Sequence, residues 1–130
     1  MNYSCILLVD DSSTSRMIMK RCFEIAGFFA SRFLEAEDGI MALTVLQNHS
    51  IDLIVTDIRI PKMDGITFIK KLKVIEMAKE IPVVVVSSLT NDPLESQLIR
   101  EGVMSIIKKP ISPQKVILAM KGEGDEHEKP

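Results

Sequence analysis

The chain has 130 residues, 46% of them hydrophobic and 26% charged, with a formal net charge of −2. That length and balance describe one folded domain, large enough to bury a core without disulfides or structural metal. The small net charge argues against nucleic acid or anionic lipid as a partner, Cys5 and Cys22 form no metal-binding pattern, and no apolar run approaches the ~18 residues of a membrane helix. The N-terminus lacks the basic and apolar segments of a secretory signal, so the cytoplasm is the expected address, with both thiols reduced.

The first apolar run is Cys5–Val9. A helical stretch follows from Ser13 to Ala26, with Met17, Cys22 and Ile25 towards one side, and stops at Gly27. Ser31–Ala36 alternates and predicts an edge strand. Asp38 is a candidate cap for a helix over Gly39–Asn48. Leu53–Thr56 reads as the third strand, and Asp64 opens a helix through Ile66, Ile69, Leu72 and Ile75 towards Ala78. Val83–Val86 is the fourth strand. Asn91 or Asp92, followed by Pro93, marks the start of a helix ending near Gly102. Met104–Ile107 is the fifth strand, and Ser112-Pro113 begins a last helix that fades at Gly122. The domain is therefore expected over residues 1–121, with 122–130 as an acidic, flexible tail.

Four of the five strands are almost continuously apolar, which implies burial on both faces and a parallel sheet. Strand and helix alternate five times, as in an α/β fold with right-handed crossovers and helices on both faces. Flavodoxin-like folds, Rossmann variants and small hydrolases all share that layout, so it leaves function open.

Ligands of doubly wound sheets gather where the strands end. Asp10 and Asp11 follow the first strand, Asp57 the third, Ser87 and Ser88 the fourth, and Lys108, Lys109 and Pro110 the fifth. Three carboxylates at one edge repel one another unless a cation joins them, and an oxygen-only set suits Mg2+. A lysine and a serine hydroxyl beside them fit a phosphoryl group, whose transfer needs positioning and charge neutralisation, and an aspartate can accept it covalently. Side chains alternate along a strand, so only one of Lys108 and Lys109 can face the carboxylates.

Together these pieces resemble the receiver domain of bacterial two-component response regulators, and the chemotaxis type in length. The resemblance is carried in order by Ile6-Leu7-Leu8-Val9-Asp10-Asp11-Ser12, Val55-Thr56-Asp57, Pro61-Lys62-Met63-Asp64-Gly65, Val85-Val86-Ser87 and Lys109-Pro110. It implies a flavodoxin-like fold with strand order 2-1-3-4-5 and a cis Lys109–Pro110 peptide. It implies Asp57 as phosphoacceptor, and Mg2+ bound by Asp11, Asp57 and the Arg59 backbone carbonyl, with Asp10 helping through water. Lys109 would pair with the phosphoryl oxygens and Ser87 would hydrogen-bond them. A histidine kinase would be the donor, and output would pass by protein contacts through the face of helix four, strand five and helix five, in a monomer or a phosphorylation-dependent dimer. Such a domain catalyses only its own phosphorylation and dephosphorylation.

Two positions depart from the family pattern. Ile106 stands where the family usually carries a ring that swings on activation, and Arg59 lies at the mouth of the site. A small phosphatase with an aspartyl-phosphate intermediate would need a second acid at Arg59. A flavin binder would need phosphate-cradling loops and aromatics, and Tyr3 is the sole tyrosine, with no tryptophan. A receiver-like interaction module that is never phosphorylated is the remaining alternative.

Overall fold

The computed structural model describes residues 2–88 and 91–125. The elements are β1 (Asn2–Val9), α1 (Ser13–Ile25), β2 (Phe29–Ala36), α2 (Gly39–Asn48), β3 (Leu53–Asp57), α3 (Gly65–Val74), β4 (Val83–Ser87), α4 (Asp92–Arg100), β5 (Ser105–Lys108) and α5 (Pro113–Asp125). All strands are parallel, in the order β2-β1-β3-β4-β5. This is the flavodoxin-like arrangement that the sequence predicts.

Alternation along the strands divides the core in two. Cys5, Leu7, Val9, Ile54, Val83 and Val85 pack with Phe68, Ile69 and Leu72 of α3 and Leu98 of α4. Ile6, Leu8, Leu53, Val55, Val84, Val86 and Ile107 pack on the other face with Met19, Cys22 and Phe23 of α1 and Val116 and Met120 of α5. Each large apolar side chain so enclosed contributes about 1.5–3 kcal/mol relative to exposure. Burial also raises the thiol pKa of Cys5 and Cys22, which suits inert packing groups.

The helices begin on polar side chains that accept otherwise unpaired amides. Ser12, Asp38, Asp64, Asn91 and Ser112 take the N–H of Ser15, Met41, Thr67, Leu94 and Lys115. Of the two candidate starts for α4, the cap is Asn91.

β3, β4 and β5 end one residue later than the sequence reading, and element ends move further at four places. β1 starts at Asn2 and β2 at Phe29, because the two strands pair from Asn2↔Phe29 onwards. α3 closes at Val74, and the chain then turns through Ala78 N–H to Ile75 O and Ile81 N–H to Ala78 O, both short of a full helical step. α5 passes Gly122 and reaches Asp125. Of the expected flexible tail, residues 126–130 lie outside the described residues.

Candidate functional site

The strands deliver their last residues to one edge, and the ladder extends past two of them. Asp10 N–H donates to Ala36 O at 3.1 Å, and Lys109 N–H donates to Ser87 O at 2.9 Å. Asp10 therefore continues the step of Ile6 and Leu8, Asp57 that of Leu53 and Val55, and Lys109 that of Ile107. All three fall on the α1/α5 side of the sheet. Lys109 Nζ lies 2.8 Å from Asp57 Oδ2 and 3.2 Å from Asp10 Oδ2. Lys108 takes the opposite step and is exposed.

Both carboxylates are buried, Asp10 1% and Asp57 7% exposed, so each needs its partners. Asp10 Oδ1 accepts from Ser12 N–H at 2.9 Å, and its Oδ2 also accepts from Ser15 Oγ at 2.7 Å. Burial alone would raise the Asp10 pKa. The Ser12 amide, the Ser15 hydroxyl and the Lys109 ammonium outweigh it and hold the carboxyl below its ordinary range. Burial likewise works against the Lys109 charge, but hydrogen bonding and attraction to Asp57, then Asp10, raise its pKa. Asp57 Oδ1 accepts from Arg59 N–H at 3.0 Å, which orients the carboxylate from the loop that follows it.

That loop is tightly built. Gly65 N–H donates to Ile58 O at 3.0 Å, and a Cβ on Gly65 would sit 2.5 Å from the same oxygen, so the position admits no side chain. Lys62 occupies the left-handed region at φ 66°, with its ammonium 3.6 Å from Asp38 Oδ2.

Ser87 ends β4 one residue past the Asp57–Val86 pair and is 1% exposed. The Lys109–Pro110 peptide is cis. The Arg59 side chain is exposed. Asp11 is the exception: it is exposed, and among the described residues no three His, Cys, Asp or Glu side chains group closely enough to hold a metal ion. The structure brings Asp10 and Asp57 together on the Lys109 ammonium, with Asp11 exposed next to Asp10.

Two cations of the site's frame escape a reading of strand ends. Arg16 is 13% exposed at its side chain; its Nη1 donates to the Asp10 carbonyl and its Nε to Glu35 Oε1. Lys115 Nζ donates to the carbonyls of Lys108 and Pro110. Both stand in the first turn of a helix, where a cation opposes the dipole, and that placement is the sequence signal of a specific acceptor. A cavity of about 500 Å³ opens beside Lys109, lined by Ser12, Thr14, Ser15, Met19, Pro110 and Ile111 among others.

The fold and this edge are those of a doubly wound α/β domain with two buried carboxylates and a lysine at the strand ends, and the comparisons give its family. The family model of the response regulator receiver domain matches residues 6–121, and the chain belongs to that family. It is 35% identical over 107 residues to chemotaxis protein CheY-3 of Vibrio cholerae, covering 82% of this chain and 81% of that protein. It is 32% identical over 127 residues to the sensor histidine kinase CheAY of Helicobacter pylori, covering 93% of this chain and spanning only 15% of the kinase. Among solved structures, the receiver domain of sensor histidine kinase PA1611 from Pseudomonas aeruginosa PAO1, with magnesium coordinated in its active site cleft, superposes at a TM-score of 0.77. That match has 20% identity and covers 93% of this chain and 98% of the other, a likeness of fold. The chain is a receiver of the chemotaxis CheY-like kind, a module of two-component signalling. Among the described residues no helix is long and apolar enough to cross a membrane.

Proposed function

We propose that the domain accepts a phosphoryl group on Asp57 from the phosphohistidine of a histidine kinase, in the cytoplasm, and passes the signal on by protein contacts. The observation that carries this reading is Lys109 Nζ held between two buried carboxylates, one of them at the end of the central strand β3. An Asp57 oxygen attacks phosphorus, the P–N bond breaks, and its electrons return to the imidazole, which takes a proton from solvent. Arg59 N–H keeps the carboxylate aimed, and Lys109 follows the charge onto the phosphoryl oxygens.

The donor set suits Mg2+ in chemistry. Asp11, Asp57 and the Arg59 carbonyl supply hard oxygens, Asp10 would act through water, and the exposure of Asp11 leaves space for an ion that keeps part of its hydration shell. When bound, Mg2+ neutralises charge on the phosphoryl oxygens. Ser87, buried at the rim, would hydrogen-bond the new group and draw the following loop inward. The readout lies on the face of α4, β5 and α5. There Ile106 is half-buried against the α3/α4 core, opposite Val85, so the signal travels by a movement other than the swing of a ring. The domain serves no further substrate as an enzyme, and it works as a monomer or a phosphorylation-dependent dimer.

That no three His, Cys, Asp or Glu side chains group closely among the described residues is the observation that would favour an interaction module that is never phosphorylated. Incubation with acetyl phosphate, read by intact mass, separates the two. One phosphoryl group should be gained with Mg2+, and none with a chelator or in Asp57→Ala. No gain in the parent under any condition would leave the interaction module standing.

A further inference from the structure

The backbone of Lys109 is held from two sides. It extends β5 by one rung, and its N–H faces β4. By the same alternation, the carbonyl of Lys108 faces away from β4, off the open edge of the sheet, and the carbonyl of Pro110 follows beyond the cis peptide. Edge carbonyls of this kind ordinarily go to water. Here one ammonium takes both: Lys115 Nζ lies 3.0 Å from Lys108 O and 2.9 Å from Pro110 O. Lys115 is itself anchored, because its N–H donates to Ser112 Oγ at 3.2 Å in the first turn of α5. The result is a closed path from α5 through an ammonium to both flanks of the residue that faces Asp57 and Asp10.

We infer that Lys115 is a positioning residue: it clamps the chain on either side of Lys109 and so keeps the Lys109 ammonium over Asp57. This rests on the reading of Asp57 as phosphoacceptor. The clamp acts on backbone carbonyls alone, so it sets where Lys109 stands without touching the phosphoryl group. A small displacement of a charge-neutralising group is costly to a transfer step, while the affinity for the donor depends on other contacts.

The test compares the parent with Lys115→Met, which keeps length and loses the donors, and Lys115→Arg, which restores two donors. Two quantities are read: the phosphorylation rate across acetyl phosphate concentrations with Mg2+, and amide hydrogen exchange at Lys109. In Lys115→Met the maximal rate should fall about tenfold, with the half-saturating donor concentration little changed and the Lys109 amide exchanging about tenfold faster. Lys115→Arg should return both to near the parent. A lowered urea midpoint with an unchanged maximal rate would mark Lys115 as merely structural and overturn the inference. So would unchanged Lys109 exchange in Lys115→Met, or failure of Lys115→Arg to restore either quantity. If the parent itself takes up no phosphoryl group, the Asp57 reading falls, and the clamp stands or falls on Lys109 exchange alone.

Discussion

Two aspartates bracket β3, and they do opposite things. Asp52 lies just before the strand, exposed, and its Oδ2 accepts the N–H of Ser4 at 2.7 Å and of Cys5 at 3.0 Å. Asp57 closes the strand, buried, and faces the Lys109 ammonium at 2.8 Å. The difference follows from strand direction. At the edge where parallel strands begin, incoming amides need acceptors, and a carboxylate there is satisfied by backbone. At the edge where they end, side chains from several strands meet with fewer amides to quiet them. A carboxylate there takes one amide, as Asp10 does from Ser12 and Asp57 from Arg59, and its other oxygen is answered by side chains.

Perturbing the ending edge should therefore change chemistry. Lys109→Met should slow phosphorylation by about a hundredfold or more, since it removes a charge aimed at the phosphoryl oxygens, measured as rate against acetyl phosphate. Gly65→Ala should cost about 1–3 kcal/mol in urea unfolding, because the added methyl meets the Ile58 carbonyl that shapes the Asp57 loop.

The pH response should show a smaller difference. Asp10 has a folded pKa below its ordinary value, so it adds stability above the ordinary aspartate range that is lost as pH falls through the folded pKa. Asp10→Asn should thus lose less stability than the parent between about pH 5 and about pH 3, in chelator, by denaturant midpoints. Lys109 has a raised pKa, so its contribution is full below the ordinary lysine range and fades as pH rises through the raised value. Smallest of all, Lys62→Gly should change stability by no more than about 0.5 kcal/mol: it relieves the left-handed backbone, and it loses an exposed ion pair and adds freedom to the unfolded chain.

What could be read from the residues was the part that rests on period and order. Apolar runs at four strands and capping side chains before the helices were enough to set five βα units in sequence. Alternation was enough to say that only one of Lys108 and Lys109 faces the carboxylates, and the Lys109-Pro110 pair of the family resemblance chose between them. That Asp10 is buried beside an exposed Asp11 was not legible, because the two are identical neighbours and only the ladder past Val9, Asp10 N–H to Ala36 O, sets which of them continues the step of Leu8. Arg16 and Lys115 were missed because their partners are carbonyls, which every residue carries and no sequence marks. The only hint was a cation in the first turn of a helix. The start of β1 and β2 was hidden because pairing between them, and not hydrophobicity, carries the strands outward to Asn2 and Phe29.

The sharpest single measurement is phosphoryl uptake in two variants of the same strand, Asp57→Asn and Asp52→Asn, with acetyl phosphate and Mg2+ by intact mass. The account predicts that Asp52→Asn gains one phosphoryl group like the parent and Asp57→Asn gains none. Uptake by Asp57→Asn, or its loss in a folded Asp52→Asn, would contradict it.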